Sequence, residues 1–366
     1  MPSVRADPAA LRTRIRGSLL GGALGDALGW PVEFASLEQI RRRYGPVGIT
    51  APPAEGGGVA EVTDDTQMTL FTAEGLILAA RAGALGRPDA LVRIVHRASL
   101  RWLRTQGATS RHPSFAGSGS EGWLLCVPEL HARRAPGSTC FEGLQASRMG
   151  SPEHPLNTSK GCGGVMRIAP VGLALAVDDP FTVGGRIAAL THGHPSGWLA
   201  AGAMAGMVRD LLLGGTLEEA LAEALETLER APGGEETHAA LRRARDRVSE
   251  VWRSGRWPGP DDVEALGQGW VAEEALAIGW FCAAVHPSDL PAALCLAANH
   301  SGDSDSTASI AGQLLGVALG EEALPPSWLD RLELRSTIAE IADRLAAETC
   351  GRFGRDAAEL RGERAG

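Results

Sequence analysis

Apolar residues recur along most of the chain with the spacing of an α-helix. Residues 64–82 illustrate the pattern, because their apolar face consists of Met68, Leu70, Phe71, Leu76 and Leu78. A Gly29-Trp30-Pro31 break ends the first helix. The pattern predicts helices over residues 8–28, 64–82, 88–103, 198–213, 217–229, 238–252, 273–285, 304–319 and 335–349.

The segments between these helices are rich in glycine, proline and small polar residues, which are typical of loops. They cover residues 43–60 (ending in Glu55-Gly56-Gly57-Gly58), 110–119, 150–164, 233–236 and 257–262. Nowhere do apolar and polar residues alternate as in paired strands, and neither a fixed repeat nor a shift in composition marks a linker. The sequence therefore predicts an all-α fold and a single compact multi-helix domain over residues 1–366.

Composition and charge narrow the range of partners. Hydrophobic residues make up 44% and charged residues 22% of the 366 positions, as in a globular protein with a sizeable core. The net charge is −9, Lys160 is the only lysine, and no basic stripe is present, so duplex nucleic acid is not expected as a partner. An anionic small ligand would need metal ions or helix N-termini to receive it.

The cysteines and the apolar runs indicate a cytoplasmic protein. The six cysteines form no C-x-x-C pair, and scattered cysteines in a long chain are typical of reduced thiols. Residues 17–28 follow Arg14 and Arg16 like a signal peptide, but Asp26 lies within them and favours a packed Gly/Ala-rich helix. No apolar run reaches the ~20 residues that a membrane span needs.

A first acidic cluster, Thr63-Asp64-Asp65, stands immediately before a predicted helix. Helix capping alone could explain it, because Thr63 or Asp64 can accept the first free backbone N–H groups. The alternative is metal binding, since carboxylate and hydroxyl oxygens are the ligands that Mg²⁺, Mn²⁺ or Ca²⁺ prefer.

A second acidic cluster, Asp303-Ser304-Asp305-Ser306, has the same architecture and also precedes a helix. Its two aspartates can approach one ion from neighbouring directions, although capping would again suffice. It is not an EF-hand, because the glycine and the glutamate expected at fixed offsets are missing. Two clusters of one design favour a metal site more strongly than either does alone.

Two further segments are candidates for ligand binding. The first is the glycine segment Lys160-Gly161-Cys162-Gly163-Gly164, where glycines allow the backbone to approach a ligand closely and successive N–H groups can cradle a phosphate. The alternative interpretation is a tight turn before a helix. Cys162 has no assignable base to make it a nucleophile. The His192-Gly193-His194 pair has no third zinc ligand nearby, which favours hydrogen-bonding or stacking roles.

Together these motifs resemble the ADP-ribosylglycohydrolase family, including the dinitrogenase reductase-activating glycohydrolases. The resemblance extends over about residues 14–320 and leaves a C-terminal helical extension to about residue 350. The segments that carry it, in the family's order, are residues 21–29 with Val32-Glu33-Phe34, Thr63-Asp64-Asp65-Thr66, residues 161–170, Thr191-His192, and residues 302–307 with Ala311-Gly312.

The resemblance implies an all-α fold, a centre of two Mg²⁺ or Mn²⁺ ions, and hydrolysis of the bond between ADP-ribose and a modified side chain. It assigns metal binding to Thr63, Asp64, Asp65, Asp303, Asp305 and Ser306. Catalysis is expected to depend on Glu33, Asp64, Asp65 and Asp303. Substrate binding is expected at Gly161, Gly163, Gly164 and His192. Cys162 departs from the asparagine of many members, and Ser306 from their threonine.

The expected substrate is an ADP-ribosylated protein or another ADP-ribose conjugate, with arginine favoured as the linked residue. The alternatives are an inactive ADP-ribose-binding module, a structural protein that keeps the fold, a phosphoesterase acting on the diphosphate, and a hydrolase of serine-linked, nucleic-acid-linked or small-molecule conjugates. Neither the target protein nor the oligomeric state follows from the sequence.

Overall fold

A computed structural model of the chain describes residues 7–53 and 58–350, and within these residues the secondary structure is helical. Two isolated bridges are the only strand-like pairs there, which confirms the all-α prediction. The α-helices are α1 Pro8–Gly29, α2 Leu37–Tyr44, α3 Asp64–Arg81, α4 Pro88–Thr105, α5 Phe115–Ser118, α6 Ser138–Gln145, α7 Ala169–Leu173, α8 Pro180–Ala188, α9 Pro195–Leu212, α10 Leu217–Arg230, α11 Glu235–Ser254, α12 Pro260–Glu264, α13 Ala272–Val285, α14 Leu290–Ala298, α15 Ser304–Leu319, α16 Pro326–Leu329 and α17 Arg335–Cys350.

Helices α1 and α15 pack antiparallel at the centre of the fold, with their backbones in direct contact. A Cβ atom added at Gly21 would lie 2.5 Å from the carbonyl oxygen of Gly312, and one at Gly29 would overlap the backbone of Ser304. No larger residue fits at these positions, which explains the glycines at every fourth position of α1. The contact brings the C-terminus of α1 to the N-terminus of α15.

The long predicted helices are confirmed, and each begins and ends within three residues of the predicted bounds. The predicted break after α1 is also confirmed, as a 3₁₀ turn over Trp30–Val32. Of the predicted glycine loop, residues 55–57 lie outside the described residues, as do residues 1–6 and 351–366 of the predicted domain. The predicted C-terminal extension includes α17, which is linked to α1 by ion pairs from Arg12 and Arg16 to Asp343.

Several predicted loops were partly wrong, because helices lie or begin within them. Residues 110–119 contain α5, residues 233–236 include the start of α11, and residues 257–262 include the start of α12. Five other helices of five to nine residues were missed, because so few turns give almost no periodicity: α2, α6, α7, α8 and α14. In α8 and α14 a proline stands in the first turn, where a helix tolerates it.

Two global properties bear on the sequence-based expectations. Among the residues that the structure describes, no helix combines the length and the apolar character needed to cross a bilayer. All six cysteines lie in this part of the chain and are free thiols.

Candidate metal centre

The two acidic clusters meet at the N-termini of α3 and α15. Thr63 Oγ1 lies 3.4 Å from Asp305 Oδ2, and the Ser306 hydroxyl donates to Asp65 Oδ2 at 3.4 Å. These residues are separated by more than 240 positions in the chain. Like their neighbours Asp64 and Asp303, they are buried. The fold therefore assembles one acidic centre from two distant segments.

Capping and clustering occur together at this centre. Thr63 Oγ1 accepts the backbone N–H of Asp65 at 3.3 Å and caps α3, while Asp303 Oδ1 accepts that of Ser306 at 3.4 Å and caps α15. The capping interpretation is thus correct for both clusters. It does not account for Asp64, Asp65 and Asp305, whose buried carboxylates are concentrated in the same place.

Asp26, in the last turn of α1, holds the first turn of α3 in position. Its carboxylate accepts hydrogen bonds from the backbone N–H of Thr63 at 3.0 Å and of Thr66 at 3.1 Å. It also accepts from the hydroxyls of the same two threonines at 2.9 and 2.5 Å. Sequence reasoning used Asp26 as an argument against a signal peptide and included it in the resemblant residues 21–29, but it assigned Asp26 no role in the site. A carboxylate within an apolar, Gly/Ala-rich helix was the signal that it missed.

Glu33 lies over the acidic centre, just beyond the 3₁₀ turn that ends α1. Oxygen atoms of Glu33, Asp303 and Asp305 all lie within 4.8 Å of one another, a spacing that one metal ion could bridge. Glu33 is half-buried, and its Oε2 atom is buried without a hydrogen-bond partner.

The residue after Glu33 is held in an unusual conformation. Phe34 has φ of +64°, in the left-handed region that bulky residues rarely adopt. Its side chain is 68% exposed, yet the ring stacks on Trp270 with 5.2 Å between the centroids. Trp270 belongs to the segment that precedes α13. The aromatic pair therefore connects the segment that carries Glu33 to the segment that precedes α13.

The carboxylates of the centre hold protons more strongly than free carboxylates do. Burial first, and then the charge of Asp305, raises the pKa of Asp26 to about 7 and that of Glu33 to about 10. Burial is also the main cause that raises the pKa of Asp64 to about 8 and those of Asp65 and Asp305 well above their usual range. Crowded buried carboxylates of this kind are stabilised by a bound cation.

The residues present fit a hard divalent cation. They offer carboxylate and hydroxyl oxygens, the donors that Mg²⁺ and Mn²⁺ prefer. Two oxygens, Glu33 Oε2 and Asp65 Oδ1, are buried and lack hydrogen-bond partners. Such atoms are rare in folded proteins, and a bound cation together with its water ligands would satisfy them.

The glycine segment forms a 3₁₀ turn, Cys162–Gly164, against the centre. The Cys162 thiol lies 2.8 Å from Asp303 Oδ2, and the Cys162 backbone N–H donates to the Trp270 carbonyl at 3.1 Å. A Cβ atom at Gly163 would lie 2.6 Å from the sulfur of Cys140. Close packing beneath the turn, and not only approach to a ligand, therefore requires glycine here.

His192 is buried beneath the glycine turn. Its Nδ1 atom lies 2.9 Å from the Thr191 hydroxyl, and burial lowers the pKa of its imidazole to about 3. An added Cβ atom at Gly161 would lie 3.5 Å from His192 Nε2, so the ring supports the turn from below. His194 instead caps α9 by accepting the Ser196 N–H at 3.2 Å. The two histidines thus have separate surroundings.

Comparison with known proteins connects this geometry to one family. A family model described as ADP-ribosylglycohydrolase matches residues 7–354. The chain is 25% identical to ADP-ribosylarginine hydrolase Tri1 of Pseudomonas putida, over 91% of this chain and 77% of that protein. It is 25% identical to the ADP-ribosyl-[dinitrogen reductase] glycohydrolase of Rhodospirillum rubrum, over 89% of this chain and 92% of that protein. A solved structure, an ADP-ribosylglycohydrolase-related protein complex, aligns with a TM-score of 0.59 and 25% identity over 93% of this chain and 99% of its own.

Proposed function

The chain belongs to the ADP-ribosylglycohydrolase family, and from this premise we propose that it hydrolyses the glycosidic bond between ADP-ribose and a modified arginine side chain. The proposed cofactors are two Mg²⁺ or Mn²⁺ ions. The substrate is an ADP-ribosylated protein or a related ADP-ribose conjugate, and the free thiols support a cytoplasmic location.

The observation that carries this proposal is the meeting of two acidic helix N-termini beneath Glu33. The bound ions would supply positive charge that polarises a water molecule and offsets charge developing on the substrate ribose. The groups proposed to hold them are the side chains of Thr63, Asp64, Asp65, Asp303, Asp305 and Ser306. Asp64, Asp65 and Asp303 thereby act in catalysis as ligands.

Glu33 is proposed to move the proton that the reaction requires. Hydrolysis breaks the bond from the ribose carbon to the guanidine nitrogen and joins the water oxygen to that carbon, while one water proton ends on the departing nitrogen. Glu33 is half-buried, close to Asp303 and Asp305, and has a free oxygen. A carboxyl group placed in this way, and not used as a metal ligand, suits acid–base catalysis.

The glycine turn is proposed to receive the diphosphate of ADP-ribose. Gly161, Gly163 and Gly164 present backbone beside the acidic centre, with His192 packed beneath them. Backbone N–H groups of such a turn can bind phosphate oxygens. Because the Cys162 N–H is already donated to the Trp270 carbonyl, the glycine N–H groups are the ones proposed. Because Lys160 is already paired with Glu236 and Glu273, at 2.9 and 2.5 Å, the backbone and not this lysine is the proposed anion receiver.

Arginine is proposed as the linked residue because the similar proteins include one named as an ADP-ribosylarginine hydrolase. The decisive experiment is a panel of arginine-linked, serine-linked and nucleic-acid-linked ADP-ribose substrates, each with Mg²⁺ or Mn²⁺. Release of intact ADP-ribose from the arginine-linked substrate alone is expected. Release from the serine-linked peptide alone would reassign the substrate, AMP as product would indicate a phosphoesterase, and binding without turnover would indicate an inactive module.

A pair of variants separates metal binding from helix capping. Asp303→Ala is expected to abolish turnover and lower the number of bound ions while the helical content stays the same. Asp289→Ala is the matched control, because Asp289 caps α14 by accepting the Ala292 N–H at 3.0 Å, outside the acidic centre. Full activity of Asp303→Ala, or of the wild-type chain in excess chelator, would contradict the proposed metal dependence.

A further inference from the structure

Cys162 places a sulfur atom among the oxygen ligands of the acidic centre. Its Sγ atom is 2.8 Å from Asp303 Oδ2 and 3.6 Å from Ser306 Oγ. The thiol is therefore in direct contact with two of the proposed metal-binding side chains. The other thiols of the described chain do not share this position: Cys140, for example, is directed at the Gly163 carbonyl and at Arg167.

A second, independent observation indicates a ligand at the same place. Asp65 is only 2% exposed, and its Oδ1 atom has no hydrogen-bond partner. Its other oxygen, Oδ2, lies 3.4 Å from the Ser306 hydroxyl that also contacts the Cys162 sulfur. The buried carboxylate that carries the unpartnered oxygen therefore lies beside the position where sulfur and oxygen donors meet.

We propose that Cys162 Sγ and Asp303 Oδ2 form a mixed sulfur–oxygen position in the acidic centre that binds a thiophilic divalent cation such as Zn²⁺ or Cd²⁺ in preference to Mg²⁺. Thiolate sulfur selects Zn²⁺ and softer ions, whereas Mg²⁺ favours oxygen and keeps its water. The proposal deepens the proposed function, because it concerns which cations the same centre accepts.

The geometry requires little movement. A Zn²⁺ ion binds sulfur at ~2.3 Å and carboxylate oxygen at ~2.1 Å, so two such donors on one tetrahedral ion lie roughly 3.5 Å apart. The Sγ to Oδ2 distance of 2.8 Å therefore has to open by less than an ångström. On binding, the thiol proton leaves to the solvent, and the cation replaces the hydrogen bond between the two side chains.

The position of Cys162 on the backbone is well defined, which favours a fixed donor. Its N–H donates to the Trp270 carbonyl at 3.1 Å, and Gly161 pairs with Val271 in an isolated bridge. Beneath it, Gly163 is packed against Cys140 and His192. The turn is thus held between α13 and α6, and the thiol does not need a loop rearrangement to reach the centre.

The test is a Cd²⁺ titration of the metal-free full chain, without substrate, followed by the ultraviolet charge-transfer band of thiolate-bound Cd²⁺. The wild-type protein is expected to develop this band and saturate it with one Cd²⁺ per chain. In Cys162→Ser the band should be lost and Cd²⁺ affinity should fall at least about tenfold. Mg²⁺ affinity, measured by calorimetry, should differ by less than about twofold, because serine keeps an oxygen that Mg²⁺ accepts.

Two further variants make the result unambiguous. Cys126→Ser removes the exposed thiol, the one best placed to bind Cd²⁺ adventitiously, and should keep the band. Asp303→Asn keeps the thiol but weakens its partner, so the band should appear only at higher Cd²⁺. The proposal is overturned if the wild-type shows no band, if the band follows Cys126, or if Cys162→Ser binds Cd²⁺ as tightly as wild-type.

These outcomes are separate from those of the substrate panel. A chain that fails to release ADP-ribose but shows the Cys162-dependent band would contradict the proposed function and leave the mixed site in place. A chain that hydrolyses its substrate with Mg²⁺ but shows no such band would do the reverse.

Discussion

Replacing Asp26 with alanine removes the acceptor that fixes the start of α3. In the structure, the Asp26 carboxylate receives the backbone N–H and the hydroxyl of both Thr63 and Thr66. The hydroxyls can turn to other acceptors, since Thr63 Oγ1 already lies 3.4 Å from Asp305 Oδ2. The two buried N–H groups have no such freedom, and each costs about 1–3 kcal/mol when left unpaired.

The net loss of stability is expected to lie in the lower part of the range obtained by adding the costs of the two unpaired N–H groups. Alanine also removes a buried charge whose pKa is raised by desolvation and by Asp305, and this relief partly offsets the lost bonds. We therefore expect Asp26→Ala to lower the free energy of unfolding by about 2–4 kcal/mol. In a chain of this length, that corresponds to a fall in melting temperature of roughly 3–6 °C. Mn²⁺ affinity should fall by about 10–100-fold, as for lost supports of metal ligands.

The assay combines thermal unfolding with calorimetric Mn²⁺ titration, and Ser18→Ala is the matched control. Ser18 lies in the same helix, is equally buried, and donates to the Gln313 carbonyl at 3.0 Å. Its loss should cost about 1 kcal/mol and leave Mn²⁺ affinity unchanged. Wild-type stability and Mn²⁺ affinity in Asp26→Ala would refute the reasoning. Equal Mn²⁺ losses in both variants would mean that general loosening of α1, and not the Asp26 carboxylate, is responsible.

Three further predictions follow from the centre. Glu33→Gln should lower kcat by roughly 10²–10⁴-fold with little change in metal content. The control Glu38→Gln, at an exposed position of α2, should leave kcat unchanged. A wild-type kcat in Glu33→Gln would exclude the proton-transfer role. Because the folded-state pKa values of Asp64 and Glu33 are raised to about 8 and about 10 from unfolded values near ~4, the metal-free protein holds extra protons and should lose stability as pH rises from ~4 towards 8. Added Mn²⁺ should therefore raise the melting temperature more at pH 8 than at ~5.5, and a metal-free melting temperature that increases over this range would contradict the assignment. Phe34→Ala should lower kcat and Phe34→Tyr should keep it near the wild-type value, because the stacking of the Phe34 ring on Trp270 holds the Glu33 segment over the acidic centre. Loss of the stacking is measured as altered Trp fluorescence. An unchanged kcat in a variant that has lost the stacking would show that the aromatic pair has no positioning role.

The parts of the centre that local sequence predicts are those with a local physical cause. Thr63 and Asp303 each stand one residue before a helix and accept an N–H group two or three residues further on, so capping statistics and helical periodicity suffice to find them. The bounds of α15 followed from the same reasoning, because its apolar positions extend over sixteen residues. The helices of five to nine residues gave no comparable signal.

The parts that local sequence does not predict depend on contacts between distant segments. Asp26 binds residues 37 and 40 positions away, and Cys162 contacts a residue 141 positions away. Neither separation corresponds to the period of a helix or a strand, so no sequence pattern indicates these contacts. The resemblance to a family supplied the order of the motifs, but for Cys162 it supplied only the observation that the residue departs from the usual asparagine.

The glycines of α1 determine how closely α1 packs against α15, and thereby where Glu33 lies relative to the acidic residues. Only because Gly21 and Gly29 have no side chain can α1 lie with its backbone against α15. This contact places Glu33, at the end of one helix, within 4.8 Å of Asp303 and Asp305, at the start of the other. A wider separation, such as the 8–10 Å between the axes of ordinary packed helices, would carry the Glu33 carboxylate away from the carboxylates that it faces. The glycines at every fourth position of α1 are therefore required for this site to form, although none of them takes part in the reaction.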